Sequence, residues 1–381
     1  MKIAPLDTHN ATLLDHVRPH RPQKPTTPKH HTYDLVVLGS GAGGLVSAKQ
    51  AARRGANVAP IEGKLAGGDC LSVGCVPSKA LLSAAHAARE SRRLGQYGIA
   101  VPDGIQVDFA AVMERMRRLR AKIAPVDSYE ASAAVGVDCY QNWGRFADAS
   151  TIALDDGTTL SFRKAVIATG GRPLLPSVPG LANVPYMTNE TVFNLTSRPC
   201  HLAVLGAGAV GLELALAFRS LGSRVTVLVR GSRLLPREDP EASETLHAAL
   251  AAAGVEFRVG VRLQSCSLDG SAGSDGCILL RDEQGGHVTC DQLLVATGRR
   301  ACVDELNLQA AGIDFEIDGV VVSHTLQTSN ANVFAVGDCV AGAPRFTHVS
   351  GEMAKVAVEN ALFGGSWDFV PNVPRCIYTE P

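Results

Sequence analysis

The sequence predicts an α/β fold built from two doubly wound, parallel-sheet units. One observation is a repeated order of elements. An apolar strand, a glycine-rich turn, a helical pattern and a second apolar strand run through 33–61 and again through 202–229. A second is the signature that closes each unit, a buried strand ending in Ala-Thr-Gly at 168–170 and at 296–298. The third is composition: 46% hydrophobic but only 5% aromatic residues, with abundant Ala and Gly, suit tight helix–sheet packing.

At 381 residues the chain has room for roughly two or three domains with substantial cores. A formal net charge of -1 gives no reason to expect nucleic acid or an anionic membrane surface as a partner. No apolar run reaches the length of a bilayer span. The ten cysteines are spread along a long chain, and the N-terminus lacks an apolar signal-peptide core. Together these predict a cytoplasmic protein with mostly reduced thiols. Residues 1–32 are rich in Pro, His, Lys and Thr without a periodic apolar face, and a disordered extension is expected there. Its scattered histidines predict no metal site.

Order is expected from Tyr33. The strand 33–38 leads into Gly39-Ser40-Gly41-Ala42-Gly43-Gly44, a helix, and a second strand ending in Glu62. In such a βαβ unit Gly39 permits the tight turn, Gly41 lets a pyrophosphate approach the backbone, and Gly44 lets the helix pack on the sheet. The pyrophosphate would lie at the helix N-terminus, and Glu62 is placed to accept hydrogen bonds from a ribose. Gly206, Gly208 and Gly211 repeat the fingerprint in the second unit. There the second strand ends in Val229-Arg230, where an NAD site usually carries an acid. Arg230, with Arg233 and Arg237 downstream, suits a 2′-phosphate and predicts NADP, with NAD as the alternative. Two complete fingerprints predict two Rossmann-like dinucleotide-binding domains.

Between the fingerprints stands Gly67-Gly68-Asp69-Cys70-Leu71-Ser72-Val73-Gly74-Cys75-Val76-Pro77-Ser78-Lys79, followed by an Ala/Leu-rich helical run to about residue 94. Pro77 suits the first turn of that helix, and a thiol at a helix N-terminus is favoured as thiolate and so becomes reactive. A loop of this size can close a disulfide. Close pairs can also be buried or metal-binding thiols; the gap here is wider than in a zinc knuckle, and no second Cys/His pair lies nearby. Residues 108–134 read as a further helical stretch, interrupted at Pro125. Its cluster of Arg115, Arg117, Arg118 and Arg120 is expected to be a solvated face.

The cysteine loop strongly resembles the redox site of the FAD-dependent pyridine nucleotide–disulfide oxidoreductases, which include glutathione reductase, lipoamide dehydrogenase and mercuric reductase. Every fixed position of the family pattern is present except a Thr, replaced here by Asp69. The resemblance runs from Tyr33 to the last residue. It implies the fold of the FAD/NAD(P)-binding disulfide reductases, with FAD at the first fingerprint. The implied domains are an FAD-binding first segment at 33–170, an NAD(P)-binding domain at 171–298, a second FAD segment at 299–370 and a stub at 371–381. Cys70 and Cys75 would form the redox disulfide, Cys75 facing the flavin and Cys70 exchanging with substrate. Lys79 would pair with Glu213 beside the flavin, Asp338 would contact its ribityl chain, and Gly170 and Gly298 would close the two nucleotide sites. The helix at about 351–363 would point its N-terminus at the flavin ring, with His348 close by.

Two departures from the family stand out. Asp69 beside Cys70 is expected to raise that thiol's pKa. After residues 373–381 the family continues for roughly a hundred residues, about one ordinary domain. That domain forms most of a homodimer interface and carries a His–Glu pair that acts as acid and base in thiol exchange. The expectation is therefore an NAD(P)H-dependent flavoprotein whose reductive half-reaction, ending at Cys70–Cys75, is fully encoded in these residues. Transfer to a small-molecule disulfide or a metal-ion acceptor would be impaired. The wording of the loop leans towards the mercuric reductase-like branch. The alternative is a shortened, non-catalytic remnant that binds FAD or NAD(P).

Overall fold

The Asp7 carboxylate accepts the Asn10 N–H and caps a helix, α1 (Thr8–Val17), inside the stretch expected to be disordered. The computed structural model describes residues 1–18, 26–101, 104–268 and 276–380; the part of the expected extension at 19–25 lies outside them. Leu13 and Val17, one helical turn apart, are fully buried against Leu65, Ala66, Leu71, Ala121 and Ala124. That apolar pair offsets the ordering entropy that the surrounding prolines and histidines suggested would win. The expectation of disorder is thus corrected for 8–17.

The first unit starts at β1 (Tyr33–Leu38), buried at five of its six positions because both faces are covered. α2 (Ala42–Arg53) crosses to β2 (Val58–Ile61), which pairs with β1 in parallel. The short α3 (Gly68–Ser72) and the long α4 (Cys75–Arg93) carry the cysteine loop. α5 (Phe109–Ile123) and α6 (Tyr129–Ala133) follow, separated by a tight turn over Ala124–Asp127 that contains Pro125, so the interruption falls where proline predicts. The arginine cluster of α5 departs from its expected solvated face. Arg120 is 0% exposed and Arg117 only 7%, because α1 lies over them. An antiparallel pair, β3 (Gly144–Asp148) and β4 (Thr151–Leu154), leads into β5 (Thr159–Ile167), whose C-terminal half pairs with β1 in parallel.

The chain then crosses to the second unit through β6 (Gly171–Pro173). Its sheet is all parallel. β7 (Tyr186–Met187) forms one edge, β8 (His201–Leu205), α7 (Ala209–Ser220) and β9 (Arg224–Val229) make the βαβ unit, and α8 (Pro240–Ala252) leads to β10 (Glu256–Val259). A three-stranded antiparallel layer of β11 (Leu263–Leu268), β12 (Ile278–Asp282) and β13 (His287–Cys290) precedes β14 (Gln292–Val295), which enters the sheet between β7 and β8. The return strand β15 (Arg299–Ala301) pairs antiparallel with β6, so outward and return crossings are tied together. After a small hairpin, β16 (Phe315–Glu316) and β17 (Gly319–Val320), β18 (Val333–Ala335) joins the first sheet beside β5. α9 (Thr347–Leu362) packs on α2. Among the described residues no helix is long and apolar enough to cross a membrane.

Candidate active site

Cys70 sits in α3 and Cys75 is the first residue of α4, with Gly74 making the turn between them. An added Cβ at Gly74 would meet the Asp69 carbonyl oxygen at 2.7 Å, so the loop closes only around a bare backbone. Both thiols are reduced and half-buried. Cys75 lies where the N-termini of α4 and α9 converge, its sulfur 3.3 Å from the Thr347 hydroxyl. The hydrogen bond from Cys70 pulls the Cys75 thiol down to about 6, helped by Thr347 and the charge of Lys79 and opposed by burial. The same pairing drives Cys70 up, with burial and the charge of Asp127 adding to it. Thr347 went unnoticed in the sequence because only the chain's long return from the second unit brings it to Cys75.

Lys79, one turn into α4, donates to Glu213 of α7 at 2.8 Å across the two units. The Glu213 carboxylate is nearly buried and also accepts the Tyr378 N–H at 3.1 Å, while the Tyr378 ring lies 4.2 Å from the lysine ammonium. Nothing local in sequence marked Tyr378. His348 donates from Nε2 to the Pro374 carbonyl at 3.0 Å, and its ring stacks on Phe346.

Asp69 does not act on Cys70 as expected. Its carboxylate pairs with Arg299 at 2.5 Å, and Asp127 is the acid whose charge reaches Cys70. Arg299 also donates to Asp338 at 3.1 Å and to the Gly171 carbonyl at 2.8 Å. Burial works against the charge of Arg299, but the two carboxylates outweigh it and its pKa is raised. Asp338 stands in the turn Gly337–Cys339 that follows β18, its pKa raised by burial against the pull of Arg299.

The fingerprints have room for dinucleotides. Gly39 has φ +103°, and an added Cβ would strike the Ala168 carbonyl oxygen at 2.4 Å. At Gly44 the same test meets the Gly39 oxygen at 1.9 Å, so the helix could not approach with any side chain there. By contrast a Cβ on Gly208 meets nothing within 4 Å, and on Gly41 only the Gly68 Cα at 3.8 Å. Neither α2 nor α7 has a side-chain cap at its N-terminus, so their first N–H groups are left for an anion. Glu62, at the end of β2, is buried and accepts the N–H groups of Ser40 and Lys64, each at 2.7 Å. Burial raises its pKa and those two donors oppose the rise. These residues fit FAD at the first cradle and a nicotinamide dinucleotide at the second. Gly206 and Gly211 repeat the contacts of Gly39 and Gly44, and Gly170 and Gly298 follow the strand ends of the two sheets. Arg230 is exposed directly after β9 and makes no ion pair among the described residues, whereas Arg233 is spent on the Pro236 and Glu238 carbonyls of its own loop.

The profile of the pyridine nucleotide-disulphide oxidoreductases matches residues 33–359. A mercuric reductase of Streptomyces lividans is 36% identical over 366 residues, 92% of this chain and 75% of the relative. One from Lysinibacillus sphaericus is 33% identical over 92% of this chain, which spans 63% of that relative's length. Among solved structures, the Cu(II) complex of the HOCl-induced flavoprotein disulfide reductase RclA of Escherichia coli superposes with a TM-score of 0.79 at 25% identity, over 92% of this chain and 76% of that one. With the profile covering most of its length, the chain belongs to the pyridine nucleotide-disulphide oxidoreductase family.

Proposed function

We propose that the chain passes electrons from NADPH to the Cys70–Cys75 disulfide and from there to a disulfide or a thiol-seeking metal ion. The observation that carries this reading is Cys75: a thiol lowered to about 6, between two helix N-termini and beside Lys79. FAD, held by the first fingerprint and Glu62, would supply a two-electron carrier between nicotinamide and disulfide. In sum, NADPH and the disulfide give NADP⁺, one thiolate and one thiol, with the hydride supplying both electrons and the proton. In this reading Cys75 carries the thiolate and Cys70 the thiol, supported by the opposite shifts of the two groups, and Cys70 hands on its proton as it attacks an acceptor. Lys79 stabilises the negative charge at Cys75, and Glu213 holds that lysine in place from the opposite unit. The likeness to mercuric reductases supports a metal ion as acceptor. Arg230, exposed and without an ion pair among the described residues, supports NADPH over NADH.

The test is an anaerobic absorbance titration of the purified protein with NADPH and, separately, NADH. Bleaching of a bound flavin with growth of a long-wavelength band is the expected result, stronger with NADPH. Arg230→Ala should raise KM for NADPH about tenfold or more and leave KM for NADH nearly unchanged. A colourless protein, or a flavin that neither nucleotide reduces, would leave a binding module and not an enzyme.

A further inference from the structure

The family profile begins at residue 33, yet α1 lies ahead of it and reaches the redox loop. Arg120 of α5 is the connection. Its Nη1 donates to the Ser72 carbonyl at 2.6 Å, between the two cysteines in sequence, and its Nη2 donates to Asn10 Oδ1 at 2.7 Å. Arg120 and Asn10 are both 0% exposed. Asn10 is itself fixed, donating Nδ2 to the Pro5 carbonyl at 2.6 Å and its N–H to Asp7. Asp7 in turn pairs with Arg117, and the Val17 carbonyl accepts the Ala66 N–H at 3.0 Å.

A guanidinium buried this deeply is costly, and among the described residues no carboxylate is in hydrogen-bond contact with Arg120 to offset it. Burial and the neighbouring Arg117 lower its pKa to about 10, with Asp7 opposing, and its Nε has no partner. An apolar side chain would fill the same space at less cost. The arrangement makes sense if the charge is kept for the carbonyl it holds.

We propose that α1 is a built-in brace of the redox loop, and that Arg120, steadied by Asn10, is a positioning residue for Cys70 and Cys75. It rests on the reading of that pair as the redox disulfide. A loop held at Ser72 has fewer open conformations as a dithiol, so closing the disulfide costs less entropy. Loosening the brace would favour the dithiol and make the couple more oxidising.

The protein is equilibrated in glutathione redox buffers, where two glutathione thiols reduce the disulfide and leave with one glutathione disulfide. The fraction reduced is read by alkylation and mass spectrometry of the 70–75 peptide. Asn10→Ala should lower the equilibrium constant for disulfide formation roughly threefold to tenfold, a part of what a hydrogen bond to a charged group contributes. A tenfold change corresponds to about 30 mV. Asn10→Asp keeps the acceptor for Arg120 but loses the donor to the Pro5 carbonyl, and should recover part of the parent value; Asn10→Ser serves if Asn10→Ala does not fold. Leu250→Ala, at a buried position of α8 in the second unit, touches neither α1 nor the redox loop and should lower stability while leaving the midpoint in place. An unchanged midpoint in Asn10→Ala, or an equal shift in Leu250→Ala, overturns the proposal. If the parent protein forms no Cys70–Cys75 disulfide at any ratio, the redox reading itself fails and the brace with it.

Discussion

Cys75 owes its acidity to neighbours that can be removed one at a time. The hydrogen bond from Cys70 is the largest of them, ahead of Thr347 and Lys79. In the reduced protein the thiolate is present above about pH 6 and is lost as pH falls through that value. Cys70→Ala takes away the main donor, so the midpoint of Cys75 alkylation should climb towards the ordinary thiol range of about 8.5. Thr347→Val should move it in the same direction by less. A midpoint that stays near 6 in Cys70→Ala would mean that the helix termini and Lys79 set the acidity without Cys70. The nearness of Cys70 and Cys75 was legible from their short loop, and the Lys79–Glu213 contact from the family resemblance. Thr347 and Tyr378 were not: each meets the site across more than 160 residues, through a hydrogen bond that no local pattern encodes.

At the scale of elements, both fingerprints could be read because strand, turn and helix must follow one another within a few residues of each glycine. α1 escaped notice for a physical reason. Its apolar pair, Leu13 and Val17, is too short to stand out, and the helix is stable only against a surface built from residues 65–71 and 121–124. The same docking turned Arg117 and Arg120 from apparent surface charges into buried ones. Leu13→Ala should therefore cost about 2–5 kcal/mol, as for a buried leucine elsewhere, where a truly disordered tail would show no change. Urea unfolding followed by circular dichroism measures it. Gly44→Ala makes a harsher case: the methyl would sit on the Gly39 carbonyl, forcing α2 off the sheet. It should yield little folded protein, and what folds should bind no flavin.

At the scale of the whole molecule, Arg299 joins parts of the chain that sequence reading treated separately. From the first residue of the return strand it grips Asp69 in the redox loop, Asp338 in the turn that follows β18, and the Gly171 carbonyl on the outward strand. The replacement of the family's Thr by Asp69 looked in sequence like a perturbation of Cys70; in the folded chain it is half of an ion pair. Arg299→Met would leave two partly buried carboxylates facing each other without a countercharge. Removing one partner from such a group typically costs about 3–5 kcal/mol, and the partial exposure here places the expected loss at the lower end of that range. The pH dependence identifies the cause. Asp338 is already raised by burial and would rise further without Arg299, so its contribution favours folding at low pH and is lost as pH rises through its raised value. The deficit of Arg299→Met, measured by urea unfolding, should be largest near neutral pH and shrink on acidification towards the ordinary carboxyl range of about 4. Asp69→Asn placed in the same variant should recover part of it at neutral pH, because one of the two opposed charges is gone. A deficit that is the same at every pH and indifferent to Asp69→Asn would show that Arg299 matters for its packing and not for the charges it joins.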